Sequence, residues 1–197
     1  MNKLRAYLTG KNLYSIFLHL VVVILAIEVV ILARQNRQFK EGQDPASQES
    51  VKVGDYLSLS GIVPVDTIAR LDSTSERQVI FVFTTRCPFC KETLPLWRQI
   101  AHQAEKAENV ALIGICLDHL AETKVYVEEQ KLTYPVFVAE DKESFVKKNK
   151  LHGVPQTIIR ATSGRVERVW KGRLSEQEFR EVVRAISHIT HNKHSNS

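Results

Sequence analysis

Three short apolar runs, each bounded by polar or turn-forming positions, give the chain its first pattern: Val79–Thr84 (VIFVFT), Val110–Leu117 (VALIGICL) and Pro135–Glu140 (PVFVAE). Their apolar positions are consecutive rather than alternating, as in strands buried on both faces. Between them the period lengthens. Leu94, Trp97, Ile100, Ala101 and Ala104 recur at helical spacing within Cys90–Ala107, and Pro95 inside that stretch is expected to kink it. Asp118 stands where a cap would open a helix to about Gln130, and Asp141 where one would open a shorter helix to Lys150. Thr157–Arg160 and Val166–Trp170 flank the turn signal Ser163-Gly164. Ser175 and Glu178 form a capping box before a helix with Phe179, Val182, Val183, Ile186 and Ile189 inward. Upstream, Val51–Asp72 carries apolar stretches broken by Gly54, Gly61 and Pro64, which suggests small strands or a hairpin. The order βαβαβαββα predicts an α/β domain over residues 51–190. It should have a central mixed sheet, helices on both faces and an antiparallel hairpin at one edge.

The N-terminal pattern is different. Leu13–Ala33 (LYSIFLHLVVVILAIEVVILA) has only His19 and Glu28 as strongly polar positions, and it is long enough to cross a hydrocarbon core of roughly 30 Å. A cleaved signal peptide is the rival reading, but the apolar run resumes after Glu28 and no small-x-small site precedes Arg34. Residues 13–33 are therefore expected to be a transmembrane anchor, with 1–12 a short cytoplasmic segment. Residues 34–50, polar and holding Gly, Pro and Ser, are expected to be a linker, and 191–197 a disordered tail.

Charge changes the picture once it is located. The chain carries +5 over 197 residues, and residues 1–40 supply all of it, through six cations against Glu28. The domain is neutral, so a basic footprint for nucleic acid is absent and no nucleic-acid partner is expected. Three cations precede the span and three follow it, so charge alone does not orient it.

Of three cysteines, Cys87 and Cys90 form Cys-Pro-Phe-Cys between a buried strand and a helix. Cys87 falls at the helix start, where free N–H groups and the macrodipole stabilise a thiolate. Cys90 lies one turn on, placed to resolve a mixed disulfide, and Pro88 suits a first turn that needs no N–H partner. A zinc site would need two more ligands, and neither His119 nor His152 has a partner at ligand spacing, so no metal is expected. Cys116 reads as a small core residue and Trp97 and Trp170 as packing. His188, His191 and His194 read as a solvated end.

The stretch VIFVFTTRCPFCKETLPLW resembles the active-site strand and helix of the thioredoxin superfamily, and Lys91-Glu92…Pro95 is similar to the membrane-anchored TlpA/ResA-like thiol–disulfide oxidoreductases. Gly153-Val154-Pro155-Gln156-Thr157 is similar to that family's cis-proline loop, which packs on the cysteine pair and offers backbone groups to a substrate peptide. The resemblance implies a thioredoxin-like fold over about residues 51–190. It implies Cys87 as nucleophile, Cys90 as resolver, Val154 and Pro155 holding the substrate strand, and Arg86, Pro88 and Phe89 tuning potential and docking. Arg86 replaces a common Trp, and Phe81 stands where thioredoxin has a buried Asp. Asp118 lies where some members bring an acidic residue to the cysteines, and helix capping explains it equally well. Thr84-x-x-Cys87-Pro88 also has a faint similarity to peroxiredoxins, with Ile80 in place of their upstream proline.

The expectation is a bitopic protein of the bacterial inner membrane with its domain on the periplasmic side, where disulfides persist. It would exchange disulfides with exported proteins, with cytochrome c or metalloprotein maturation as the expected setting, beside a membrane or periplasmic redox partner. Its only redox group would be the cysteine pair, with no dissociable cofactor. A thiol peroxidase and a copper carrier using the pair are the alternatives.

Overall fold

The computed structural model describes residues 10–41, 50–66, 71, 75–107 and 109–191. The segment before Gly10, stretch 42–49 of the expected linker and tail 192–197 lie outside the described residues. The chain divides into two units, Met1–Gln48 and Glu49–Ser197.

The described residues of the first unit form one helix, α1 (Gly10–Glu41). It runs into the stretch expected to be linker. Arg34–Glu41 is mostly Arg, Gln, Lys and Glu, good helix formers, with no Gly or Pro, and the first breaker is Gly42. Side chains along α1 are described from Ser15 to Val30, exposed throughout except at Val21. Among residues described to that level no helix is long and apolar enough to cross a membrane, and the expected span of 13–33 extends past them at both ends.

The second unit is a six-stranded mixed sheet with helices on both faces. In chain order its elements are β1 (Ile62–Pro64), β2 (Arg77–Phe83), α2 (Pro88–Ala104), β3 (Val110–Cys116), α3 (Leu120–Gln130), β4 (Val136–Ala139), α4 (Lys142–Asn149), β5 (Gln156–Ala161), β6 (Val166–Lys171) and α5 (Glu176–His191). The strand order is β1-β4-β3-β2-β5-β6. β2, β3 and β4 are mutually parallel, while β5 runs antiparallel to β2, β6 to β5 and β1 to β4. The consecutive apolar runs are explained by this arrangement. In β2, Val79, Phe81 and Phe83 face Trp97 and Ile100 of α2 and Val182 and Ile186 of α5, while Ile80 and Val82 face Phe145, Leu151 and Leu57 on the other side. Gly114 in β3 is small for a reason: a Cβ there would lie 3.0 Å from the Tyr134 ring and 3.2 Å from Phe83.

Of the two readings of Val51–Asp72, small strands hold and a hairpin does not among the described residues: Ile62–Pro64 pairs with Phe137–Ala139 at the sheet edge, and Tyr56 bridges to Arg165. One local expectation is corrected. The cap of α3 is His119, which makes no side-chain cap bond, and Asp118 is committed elsewhere. The other caps are as expected. Asp141 accepts from the Ser144 N–H at 3.0 Å, and Ser175 and Glu178 bond reciprocally. The helix expected from Cys90 starts at Pro88, because Cys87 caps it.

Candidate active site

The site lies where β2 ends. β2 is interior, with parallel β3 on one side and antiparallel β5 on the other. The β2–α2 turn, the start of α3 and the turn entering β5 are therefore brought together at one end of the sheet. Cys87 takes an extended conformation (φ −76°, ψ 115°) and is the N-cap of α2, and Pro88 occupies the first turn, where no N–H is needed. The Cys87 sulfur accepts the Cys90 N–H at 3.0 Å, so an orphan donor of the helix end is spent on sulfur. Cys87 and Cys90 are joined as a disulfide, with Cα atoms 5.2 Å apart. The two sulfurs differ in access: Cys87 is half-buried and Cys90 is 1% exposed.

The turn before β5 supplies the opposite wall. The Val154–Pro155 peptide is cis, and the Val154 carbonyl oxygen lies 3.9 Å from the Cys87 sulfur. A disulfide sulfur carries no hydrogen, so this is a contact in the oxidised pair; once reduced, the Cys87 S–H has that carbonyl in reach. Gly172 donates its N–H to the Pro155 carbonyl at 2.8 Å. Behind the turn, Thr157 accepts the Trp97 indole N–H at 2.9 Å, which ties β5 to the helix carrying Cys90. Trp97 itself stacks on Phe81, with centroids 4.7 Å apart and planes at 13°.

Asp118 faces this site. One carboxylate oxygen accepts both the Thr85 N–H at 2.6 Å and the Thr85 hydroxyl at 2.8 Å. It therefore braces the loop entering the cysteines, a role that local sequence could not reveal because its partner is 33 residues away. Arg86 does not turn toward Cys87. Its side chain is 83% exposed and pairs with Glu122 of α3 at 3.1 Å, in water where such a pair contributes little. Pro88 and Phe89 are exposed beside the disulfide, Phe89 by 56%. Cys116 is a free, fully buried thiol, and burial pushes its pKa up, partly countered by a bond to Thr123. Among the described residues no group of three His, Cys, Asp or Glu side chains is gathered as metal ligands. Gln156, quoted in the sequence only as part of a motif, turns out to be fully buried with its amide spent on the turn.

The arrangement is a thioredoxin-like α/β fold presenting a close cysteine pair at a helix N-terminus. The family is shown by the sequence: the AhpC/TSA family model matches residues 65–168, and the chain belongs to that family. No curated protein matches the chain. Solved structures agree on the fold. A candidate protein disulfide isomerase from Bacteroides thetaiotaomicron is 20% identical, with 73% of this chain and 95% of that one covered at a TM-score of 0.60. The thioredoxin domain of a thiol-disulfide oxidoreductase from Bacteroides vulgatus is 13% identical, with 72% and 99% covered at 0.55. The C-terminal domain of a candidate thiol-disulfide oxidoreductase from Bacteroides thetaiotaomicron is 15% identical, with 70% and 97% covered at 0.56.

Proposed function

We propose that this protein is a membrane-anchored thiol–disulfide oxidoreductase of the TlpA/ResA-like kind, working as a protein-disulfide reductase on exported proteins. The observation that carries the reading is the asymmetry of the pair. An accessible Cys87 caps α2 and faces the cis-proline turn, and Cys90 is buried one turn behind it. In the reduced form, the Cys87 thiolate attacks one sulfur of a substrate disulfide and displaces the other as a thiolate. The Cys90 thiolate then attacks the Cys87 sulfur, closes the internal disulfide and releases the second substrate thiolate. Two electrons pass to the substrate, and protons from solvent balance the released thiolates. No other cofactor is needed for that cycle. Val154 and Pro155 hold the substrate backbone, Arg86, Pro88 and Phe89 form the rim it meets, and Asp118 holds the loop that carries Cys87.

Anchoring is supported by α1, whose large apolar residues from Ile16 to Val30 stand exposed, an arrangement that water does not favour. An extracytoplasmic domain is supported by redox logic, since exchange on stable disulfides is useful where they persist. Apocytochromes and apo-metalloproteins, whose cysteines must be reduced before loading, are the substrate class proposed. The cycle would be renewed by a membrane or periplasmic dithiol partner.

The test is a trap. Cys90→Ser in membranes should accumulate mixed disulfides on Cys87 that reductant releases, and the purified chain should titrate reversibly as a two-electron dithiol. Absence of both sinks the reading. The AhpC/TSA match keeps a peroxidase in view. Rapid hydrogen peroxide turnover, abolished by Cys87→Ser and only weakened by Cys90→Ser, would put it first.

A further inference from the structure

The turn that faces Cys87 is held by a side chain with an unusual balance of bonds. Gln156 is the first residue of β5, between Val82 of β2 and Lys171 of β6, and it is 1% exposed. Its amide nitrogen donates backward to the carbonyls of His152 at 3.2 Å and Gly153 at 2.8 Å. Its amide oxygen is buried and has no partner. An unpaired buried acceptor is unfavourable, and a core position beside Val82 and Ile158 would be filled more stably by an apolar residue. Both donors go to the two residues immediately before Val154, whose carbonyl is the one against the Cys87 sulfur. The carbonyls they satisfy belong to a half-buried and an exposed residue, both outside the sheet. What Gln156 supplies is therefore position more than stability.

We infer that Gln156 is a positioning residue for thiol exchange, and that it holds the Val154 carbonyl against the Cys87 sulfur. This rests on the oxidoreductase reading. In the reduced protein that carbonyl accepts the Cys87 S–H and so favours the thiol over the thiolate. Releasing the turn should free the thiolate. The neighbouring anchors, Gly172 on the Pro155 carbonyl and Trp97 on Thr157, fix the turn beyond Pro155; before it, Val154 packs on the core and Gln156 holds the carbonyls of His152 and Gly153.

The experiment uses the full chain in detergent, in a Cys90→Ser background, with Gln156→Met as the volume-conserving change. Gln156→Leu stands in should the Met chain not fold. Ile158→Val on the same strand is the control for a merely structural loss. Thiolate absorbance against pH reports the Cys87 titration, and 2-hydroxyethyl disulfide is the probe of its rate. The expected result is a Cys87 titration moved to lower pH, with the thiolate-to-thiol ratio raised about fivefold, the worth of one net hydrogen bond. The probe should react correspondingly faster near neutral pH, with the thermal midpoint near that of the parent. A Cys87 titration unchanged in the Gln156 variants overturns the inference, as does an equal shift in Ile158→Val. Failure of the unmutated chain to titrate reversibly as a dithiol would instead strike the oxidoreductase reading, so the two failures are distinct.

Discussion

Thr157→Val tests how the cis-proline turn is joined to the helix of the cysteines. Thr157 and Trp97 are each 1% exposed, and the Trp97 indole N–H donates to the Thr157 hydroxyl at 2.9 Å. Valine keeps the branched shape and removes the acceptor, which leaves a buried indole N–H unpaired. That loss is worth about 1–3 kcal/mol, offset by up to about 0.8 kcal/mol for the methyl group gained. A net loss of about 1–2 kcal/mol should lower the midpoint of a domain this size by roughly 2–8 °C. The assay is thermal unfolding followed by far-ultraviolet circular dichroism, which reads the helices and sheet and serves equally in a background without Trp97. Thr157→Ser, which keeps the acceptor, should recover most of the loss. In a Trp97→Phe background the same Thr157→Val change should cost less than about 0.5 kcal/mol, because the partner is already gone. A Thr157→Val chain as stable as the parent, or an undiminished loss in the Trp97→Phe background, would refute the role given to this bond.

Two further outcomes follow from buried groups. Burial, with a smaller effect from Tyr126, pushes the Tyr134 hydroxyl well above its ordinary pKa, and its oxygen has no partner. The folded chain therefore keeps a proton that the unfolded chain releases above about pH 10, and stability should fall as pH rises past that value. Tyr134→Phe should flatten this alkaline decline and add about 1 kcal/mol at neutral pH, read from urea midpoints; parallel curves for the two chains would refute it. In the reduced native protein iodoacetamide should alkylate Cys87 first, with Cys90 and Cys116, 1% and 0% exposed, protected until unfolding. Mass spectrometry showing early label on Cys116 would contradict its place in the core.

Most of the sheet was legible because its strands are buried on both faces and so write continuous apolar runs, as Val79–Phe83 and Val110–Cys116 do. α2 was legible from period and α4 and α5 from their caps. What was not legible has one cause: a distant partner prevailed over a local one. The small strand Ile62–Pro64 was foreseen as a strand or hairpin arm, but its partner, β4, was not. Asp118 precedes a helix as a cap should, yet the Thr85 N–H and hydroxyl claim its carboxylate. In the site, the cysteines and cis-proline turn could be found by motif, since helix starts and X-Pro turns are local. Gln156 could not, because a buried amide oxygen without a partner is a property of packing that no spacing records.

The burial of Cys90 beneath Cys87 has a kinetic side. In the exchange proposed above, the thiol that releases a captured substrate is already held one turn away, so the second step is unimolecular. Well-oriented groups of this kind react as though present at about 10⁵–10⁸ M. The lifetime of the captured complex is thus set within the helix and is independent of how many copies of the protein are present. Dilution or crowding would change how often a substrate is captured, and would leave unchanged how long it is kept.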